Sequence, residues 1–177
     1  MAAEDINAAG GINVKETYGE LLVPVAKDLG FVKDLSLEIP GAPEVFLQAE
    51  QPELEVQVNS GAACFAEALY EVTVTVTVTA RAGERTLFLA EAAQAGIFTV
   101  RGVAAEEMDP LLNIACPNIL YPYVREAISD LVTRGGFPPV LLAPVSFEAL
   151  YAQRNGNDTP VMTATLAWLY NRLGDYR

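Results

Sequence analysis

The fold is decided by residues 70–80, YEVTVTVTVTA. Strand side chains point alternately to opposite faces, so Val72, Val74, Val76 and Val78 line one face and Thr73, Thr75, Thr77 and Thr79 the other. Both residue types are β-branched and favour extended backbone. So regular a strand is also an aggregation seed unless its faces and edges are covered. The rest of the chain has to supply that cover.

Further strands flank it. FVKDLSLEI at 31–39 alternates, with Phe31, Lys33, Leu35, Leu37 and Ile39 on one face and Val32, Asp34, Ser36 and Glu38 on the other. PGAPEVF follows, with Pro40, Gly41 and Pro43 as turn formers. ELEVQVN at 53–59 puts Leu54, Val56 and Val58 on one side of a second strand. Residues 70–80 form the third, and RAGER around Gly83 reads as a hairpin connection. TLFLAEAAQAGIFTV at 86–100 gives a fourth strand, ending near Gly96 or continuing through Phe98.

After Gly102 the period becomes helical. A helix is predicted over 117–134, preceded by an irregular or helical turn, with Leu120, Val124, Ile128 and Leu131 on one stripe. Pro117 suits a first turn, Pro122 would kink or delay the helix, and Gly135 is a natural C-terminal cap. PPVLLAPVS, with three prolines, is expected to be extended, and FEALYAQ to form a short helix. Beyond RNGNDTP, VMTATLAWLYNRL sets Met162, Leu166, Leu169 and Leu173 at amphipathic four-three-four spacing. At the other end, residues 1–13 read as a flexible leader closed by Gly10 and Gly11. KETYGELLVPVAKDLG, interrupted by Gly19 and Pro24, holds a short helix or an early strand. Strands first and helices afterwards is the order of an α+β fold, an antiparallel sheet covered by helices on one face. The expected division is an N-terminal arm at 1–30, a main domain at 31–151, and a linker with a C-terminal amphipathic helix at 152–177.

Composition narrows the function. With 51% hydrophobic and 19% charged residues in 177, the chain can build one real core. No apolar run approaches the ~20 residues that span a bilayer, and the acidic start MAAEDINAAGG lacks the blocks of a secretory signal. A soluble, cytoplasmic protein is expected. Eleven Lys and Arg against 23 Asp and Glu leave a net charge of −12. That excess repels nucleic acid and anionic lipid and favours a basic partner. There is no histidine, so the commonest general base and metal ligand are missing. Cys64 and Cys116 have no paired metal spacing. Without a histidine to activate either one, both read as reduced, packed structural thiols. No cofactor or metal and no catalytic residue is expected, so the chain reads as a non-enzyme.

Four segments together resemble the SecB family of protein-export chaperones: CPNILYPYVREAI at 116–128, RGGFPPVLLAPVSFEALY at 134–151, KDLSLEIPGAPEVF at 33–46 and AQAGIFTV at 93–100. They occur in the family's order and span residues 31–151. The resemblance implies four antiparallel strands backed by helices. Two subunits then join their sheets edge to edge, and two such dimers pack through helices as a homotetramer. It also implies a function without catalysis: the tetramer holds unfolded secretory precursor proteins and passes them to the translocation ATPase SecA. Edge-to-edge pairing would remove one hazardous sheet edge, with the valine face on helices and the threonine face outward or toward a partner.

The resemblance also assigns surfaces. Acidic positions matching Asp34 and Glu38, together with those matching Leu89 and Glu91, dock the ATPase. Asp34 and Glu38 share a strand face ~13 Å apart at strand rise, and Leu89 and Glu91 are same-face neighbours on the fourth strand. Carboxylates around an apolar anchor would steer a basic partner, against the plain alternative of a solvated strand face. The client groove maps to Leu54, Val56 and Val58, plus Phe137, Leu141 and Leu142 in the connector. Many weak apolar contacts hold an unfolded chain without sequence readout, and a tetramer multiplies them. Ordinary core packing is the alternative, and for Leu54, Val56 and Val58 it is the reading slightly preferred. Tyr121 and Tyr123 read as helix-interface packing in the tetramer. The C-terminal leucine stripe departs from the family's short acidic tail; its reading is packing on its own or a sibling subunit, against the alternative of a client-mimicking segment that occupies a groove. Two rivals remain: a SecB-like chaperone dedicated to a toxin–antitoxin partner, and a small carboxylate-based enzyme or ligand-binding α+β domain with a closed pocket.

Overall fold

The computed structural model describes residues 22–24, 30–47 and 52–155. The leader at 1–13 and the amphipathic segment at 162–173 lie outside the described residues. Strands β1 (Leu22–Pro24), β2 (Phe31–Glu38), β3 (Glu53–Ala66), β4 (Leu69–Ala82) and β5 (Arg85–Val100) form one antiparallel sheet. β5 is flanked by β4 on one side and by β1 and β2 along the other, and β3 closes the far edge beside β4. The four expected strands are present. The second runs on to Ala66 and the fourth to Val100, and the early segment holds a strand of three residues.

Residues 70–80 behave as their alternation dictates. Val72, Val74, Val76 and Val78 are fully buried, while the threonines between them are half-buried on the opposite face. Val76 and Val78 pair with Val58 and Val56 of β3 on one side and with Ala92 and Ala90 of β5 on the other. Small alanines on β5 let the helix layer approach this face closely.

One face assignment in β2 is corrected. A register shift between Val32 and Asp34 leaves Lys33 as an extra residue, a β-bulge. Phe31 therefore stands opposite Ala95, and Lys33 pairs with Glu71, which is on the threonine side of β4. Beyond the bulge the predicted faces hold: Leu35 and Leu37 stand opposite Ala92 and Ala90, and Asp34, Ser36 and Glu38 stand opposite Ala93, Glu91 and Leu89. Alternation counts residues and cannot foresee an inserted one.

The helix layer begins earlier than predicted. α1 (Ala105–Pro110) continues through a π turn (Leu111–Ala115) into α2 (Cys116–Arg134). At the junction the Cys116 N–H reaches back to the Leu111 carbonyl, the wider i→i−5 spacing of a π turn. The next residue, Pro117, has no N–H to give, so the irregularity falls where the α-ladder is already broken. Pro122 stays inside α2 without ending it. Leu120, Val124 and Ile128 are fully buried as expected, but Val132 takes the last place in the stripe and Leu131 is only partly buried. α2 packs over β4 and β5.

The C-terminal cap is a Schellman motif whose left-handed residue is Gly136 (φ 89°), not Gly135. Gly136 N–H donates to Thr133 O at 3.0 Å and Phe137 N–H to Val132 O at 3.3 Å. The connector then runs extended back along α2 to α3 (Phe147–Arg154), whose N-cap hydroxyl, Ser146, accepts from Ala149 N–H at 3.2 Å.

Candidate functional site

The four acidic-face candidates converge. In the β2–β5 ladder Asp34 lies opposite Ala93, Ser36 opposite Glu91, and Glu38 opposite Leu89. All four candidates thus share the threonine face, on two adjacent strands ~4.8 Å apart. Asp34 and Glu38 are exposed, and Leu89 and Glu91 are half-buried between them and β4. Thr77 Oγ1 donates to Glu91 Oε2 at 2.7 Å, which holds that carboxylate against the sheet. The result is a patch with two exposed carboxylates, one carboxylate held by Thr77, and one leucine.

The groove candidates divide. Leu54, Val56 and Val58 stand opposite Ala80, Val78 and Val76, on the helix side of the sheet. Val58 packs against the core, but Leu54 and Val56 remain 48% and 43% exposed. The core reading of these two is therefore corrected. Their alternation matches that of the buried valines, but β3 is an edge strand on which α2 does not lie. In the connector, Leu141 is 84% exposed and its neighbour Leu142 only 5%. Leu142 is a core residue in this chain, with only a small part of its surface reaching the groove beside α2. Phe137 is half-buried, with its ring 4.8 Å from that of Phe88 and 5.1 Å from that of Phe46. Leu141 and Val140 border an open groove of about 380 Å3 against Arg125, Ser129 and Thr133 of α2.

Sequence reasoning missed Phe46 and Leu47. Both are exposed, and Phe46 continues the aromatic row of Phe137 and Phe88. The signal was two large apolar residues, VFL after Pro43, in what reads as a loop. β2 adds Phe31, Val32 and Leu35, all exposed on the other edge.

The remaining singled-out side chains serve the scaffold. Tyr121 is buried within its own subunit, not free for an intersubunit contact. Its hydroxyl donates to Ala143 O at 2.7 Å and its ring meets Phe147 edge-on at 5.7 Å. Burial pushes its phenol up, partly offset by the Arg125 guanidinium over the ring. Tyr123 is exposed. Cys116 is fully buried, and desolvation pushes its thiol up to about 12. Cys64 is exposed on β3, which corrects its reading as a packed thiol. Among the described residues no group of three His, Cys, Asp or Glu side chains is placed to hold a metal, and no helix is long and apolar enough to cross a membrane.

Residues 25–158 match the family model of SecB, the preprotein translocase subunit. The chain is 56% identical over 124 residues to the protein-export protein SecB of Chromobacterium violaceum, covering 70% of this chain and 83% of that one. It is 54% identical over 135 residues to the SecB of Methylobacillus flagellatus, covering 76% and 86%. Among solved structures it resembles a SecB-like chaperone of Mycobacterium tuberculosis in complex with a ChAD peptide from the HigA1 antitoxin. That likeness has a TM-score of 0.57 at 16% identity and covers 76% of this chain and all of that one, so it speaks to the fold alone.

The fold is an α+β sheet backed by helices, with apolar side chains left exposed on its edge strands. The chain belongs to the SecB family, and its function is that of a protein-export chaperone.

Proposed function

We propose that the protein is a cytoplasmic, ATP-independent holdase that keeps unfolded secretory precursors competent for translocation and delivers them to SecA. The observation that carries this reading is the pair Leu54 and Val56, half-exposed on the same sheet face as the buried Ala80 and Val78 they pair with. Open apolar surface beside a rigid sheet suits a client that offers many weak contacts and no fixed shape. Phe137 and Leu141, extended by Phe46, form the second part of the client surface.

Delivery runs through the opposite face. Asp34, Glu38, Glu91 and Leu89 present negative charge and one apolar anchor to a basic partner surface. The two functions lie back to back on one sheet, so a client on the helix side does not block docking on the threonine side.

The working unit is a homotetramer, a dimer of dimers. Exposed Phe31, Val32 and Leu35 on the β2 edge support edge-to-edge joining there. The test is refolding of a reduced, denatured secretory protein with and without this chain, with native mass measured in parallel. A slowed refolding rate and a four-subunit mass are expected. A single-subunit mass with unchanged refolding would overturn the reading.

A further inference from the structure

The last helix, α3, meets the open row of β3 at one point. Along that strand Leu54, Val56, Val58, Ser60, Ala62 and Cys64 pair with the helix-side residues of β4, so they form one row on that side. Leu54 and Val56 are exposed, Val58 and Ser60 are half-buried, and Ala62 and Cys64 are exposed again. The break in exposure falls where the π turn meets β3 and where Arg154 Nη1 donates to Ser60 O at 3.0 Å. Arg154 is itself held from the helix layer. One turn earlier in α3, Tyr151 Oη donates to Asp109 Oδ2 on α1, and Asp109 Oδ1 accepts from Asn113 Nδ2 of the π turn at 2.9 Å. Only Phe147, at the start of α3, is buried, so the last turn rests on partly buried Leu150 and Tyr151 and on these polar ties. Exposed polar contacts of this kind add little to stability. What they fix is direction, with α3 tied to α1 at one point and to the edge of β3 at another.

We propose that Arg154 determines specificity by closing the row at Ser60, and that Tyr151 is a positioning residue which, through Asp109, keeps Arg154 there. The specificity half rests on the client-binding reading of Leu54, Val56 and Val58; the tie between α3 and α1 does not. With Arg154 in place an extended client segment has ~13 Å of row, from Leu54 to Val58. Without it the row runs on to Cys64, ~33 Å at strand rise, and gains the small side chains of Ala62 and Cys64. A short apolar segment gains nothing from the extension, whereas a longer one buries further surface. In the native chain, therefore, a long apolar stretch is held by no more of this row than a short one.

Two variants of the full chain test this: Tyr151→Phe removes the hydroxyl and keeps the ring, and Arg154→Ala removes the guanidinium at Ser60. In Tyr151→Phe, hydrogen exchange of the Asn155 amide, which donates to Tyr151 O, is expected to speed up about tenfold while α2 is unchanged. Two labelled peptides of alternating leucine and serine, about six and about twelve residues long, read the row. Both variants are expected to bind the longer peptide about three- to tenfold more tightly and the shorter one as the native chain does. Arg154→Lys, which keeps a donor for Ser60 O, is expected to retain the native preference. A ratio of the two affinities that stays native, whether both change or neither does, would make these contacts merely structural and overturn the proposal. So would unchanged exchange at Asn155. If exchange speeds up and no form binds either peptide or a denatured protein, the tie stands and the client-binding reading is what falls.

Discussion

Glu38 faces Leu89 directly across the β2–β5 ladder, and two residues further along Glu91 faces Ser36. This register puts three carboxylates and one leucine on a single face, with Leu89 beside Glu38 at one end and Asp34 opposite Ala93 at the other. Neither strand supplies the patch alone.

Charge reversal there should separate delivery from holding. Asp34→Lys with Glu91→Lys is expected to weaken binding of the ATPase about tenfold or more at low salt, with the difference shrinking as salt rises. Client binding and subunit mass should be unchanged, since both residues lie on the side away from Leu54 and Val56. Titration at two ionic strengths checks it. Equal loss of all three properties would refute a separate docking face.

The two faces of β4 predict opposite outcomes for conservative exchanges. Val76→Thr puts a hydroxyl into a fully buried position flanked by Val58 and Ala92 and is expected to cost about 1–3 kcal/mol. Thr75→Val, on the half-buried face, is expected to stay within about 0.5 kcal/mol. Denaturant unfolding of the two variants measures both.

At Gly96 the helix layer comes close to β5. A Cβ there would stand 2.9 Å from Leu120 Cδ2 and 3.0 Å from Phe98 Cε2, and both side chains are buried too deeply to move aside. Gly96→Ala should therefore cost about 1–3 kcal/mol through overpacking, read as a lower thermal midpoint. A neutral result would mean that α2 rides further from the sheet.

The two thiols should differ in reactivity. Native alkylation at neutral pH is expected to modify exposed Cys64 and spare Cys116, which reacts only after unfolding. Cys116 also sets a pH dependence. Its folded value of about 12 lies above its ordinary value of 9.0. Above that lower value the unfolded chain loses a proton that the folded chain keeps, so stability falls as pH rises from about 9 toward 12, by up to ~1.4 kcal/mol per unit. Below pH 9 this group should have no effect. Cys116→Ala is expected to flatten that part of the profile in equilibrium unfolding.

Much of this architecture is legible in the residues themselves. The four long strands, the helix over 117–134 and the valine and threonine faces follow from periods of two and of 3.6, which local covalent geometry sets. The residues of the acidic patch are likewise named by the family's motif. Their assembly is not: spacing within one strand does not say that Glu38 will meet Leu89. The bulge at Lys33 shows the same limit, because an extra residue turns Phe31 to the other face while the alternation still looks regular.

The sequence by itself determined the four long strands and the long helix, their order, the family, and which faces of β3 and β4 are apolar. Tertiary structure decided which of those apolar residues stay uncovered. Val74 and Val56 obey one pattern, but only Val74 lies beneath the helix layer; Leu141 and Leu142 are neighbours, and only Leu142 turns inward. The reason is that alternation is a property of a few consecutive bonds. Burial depends on which distant segment comes to lie over a face, and α2 covers β4 and β5 but leaves the outer strand β3 uncovered.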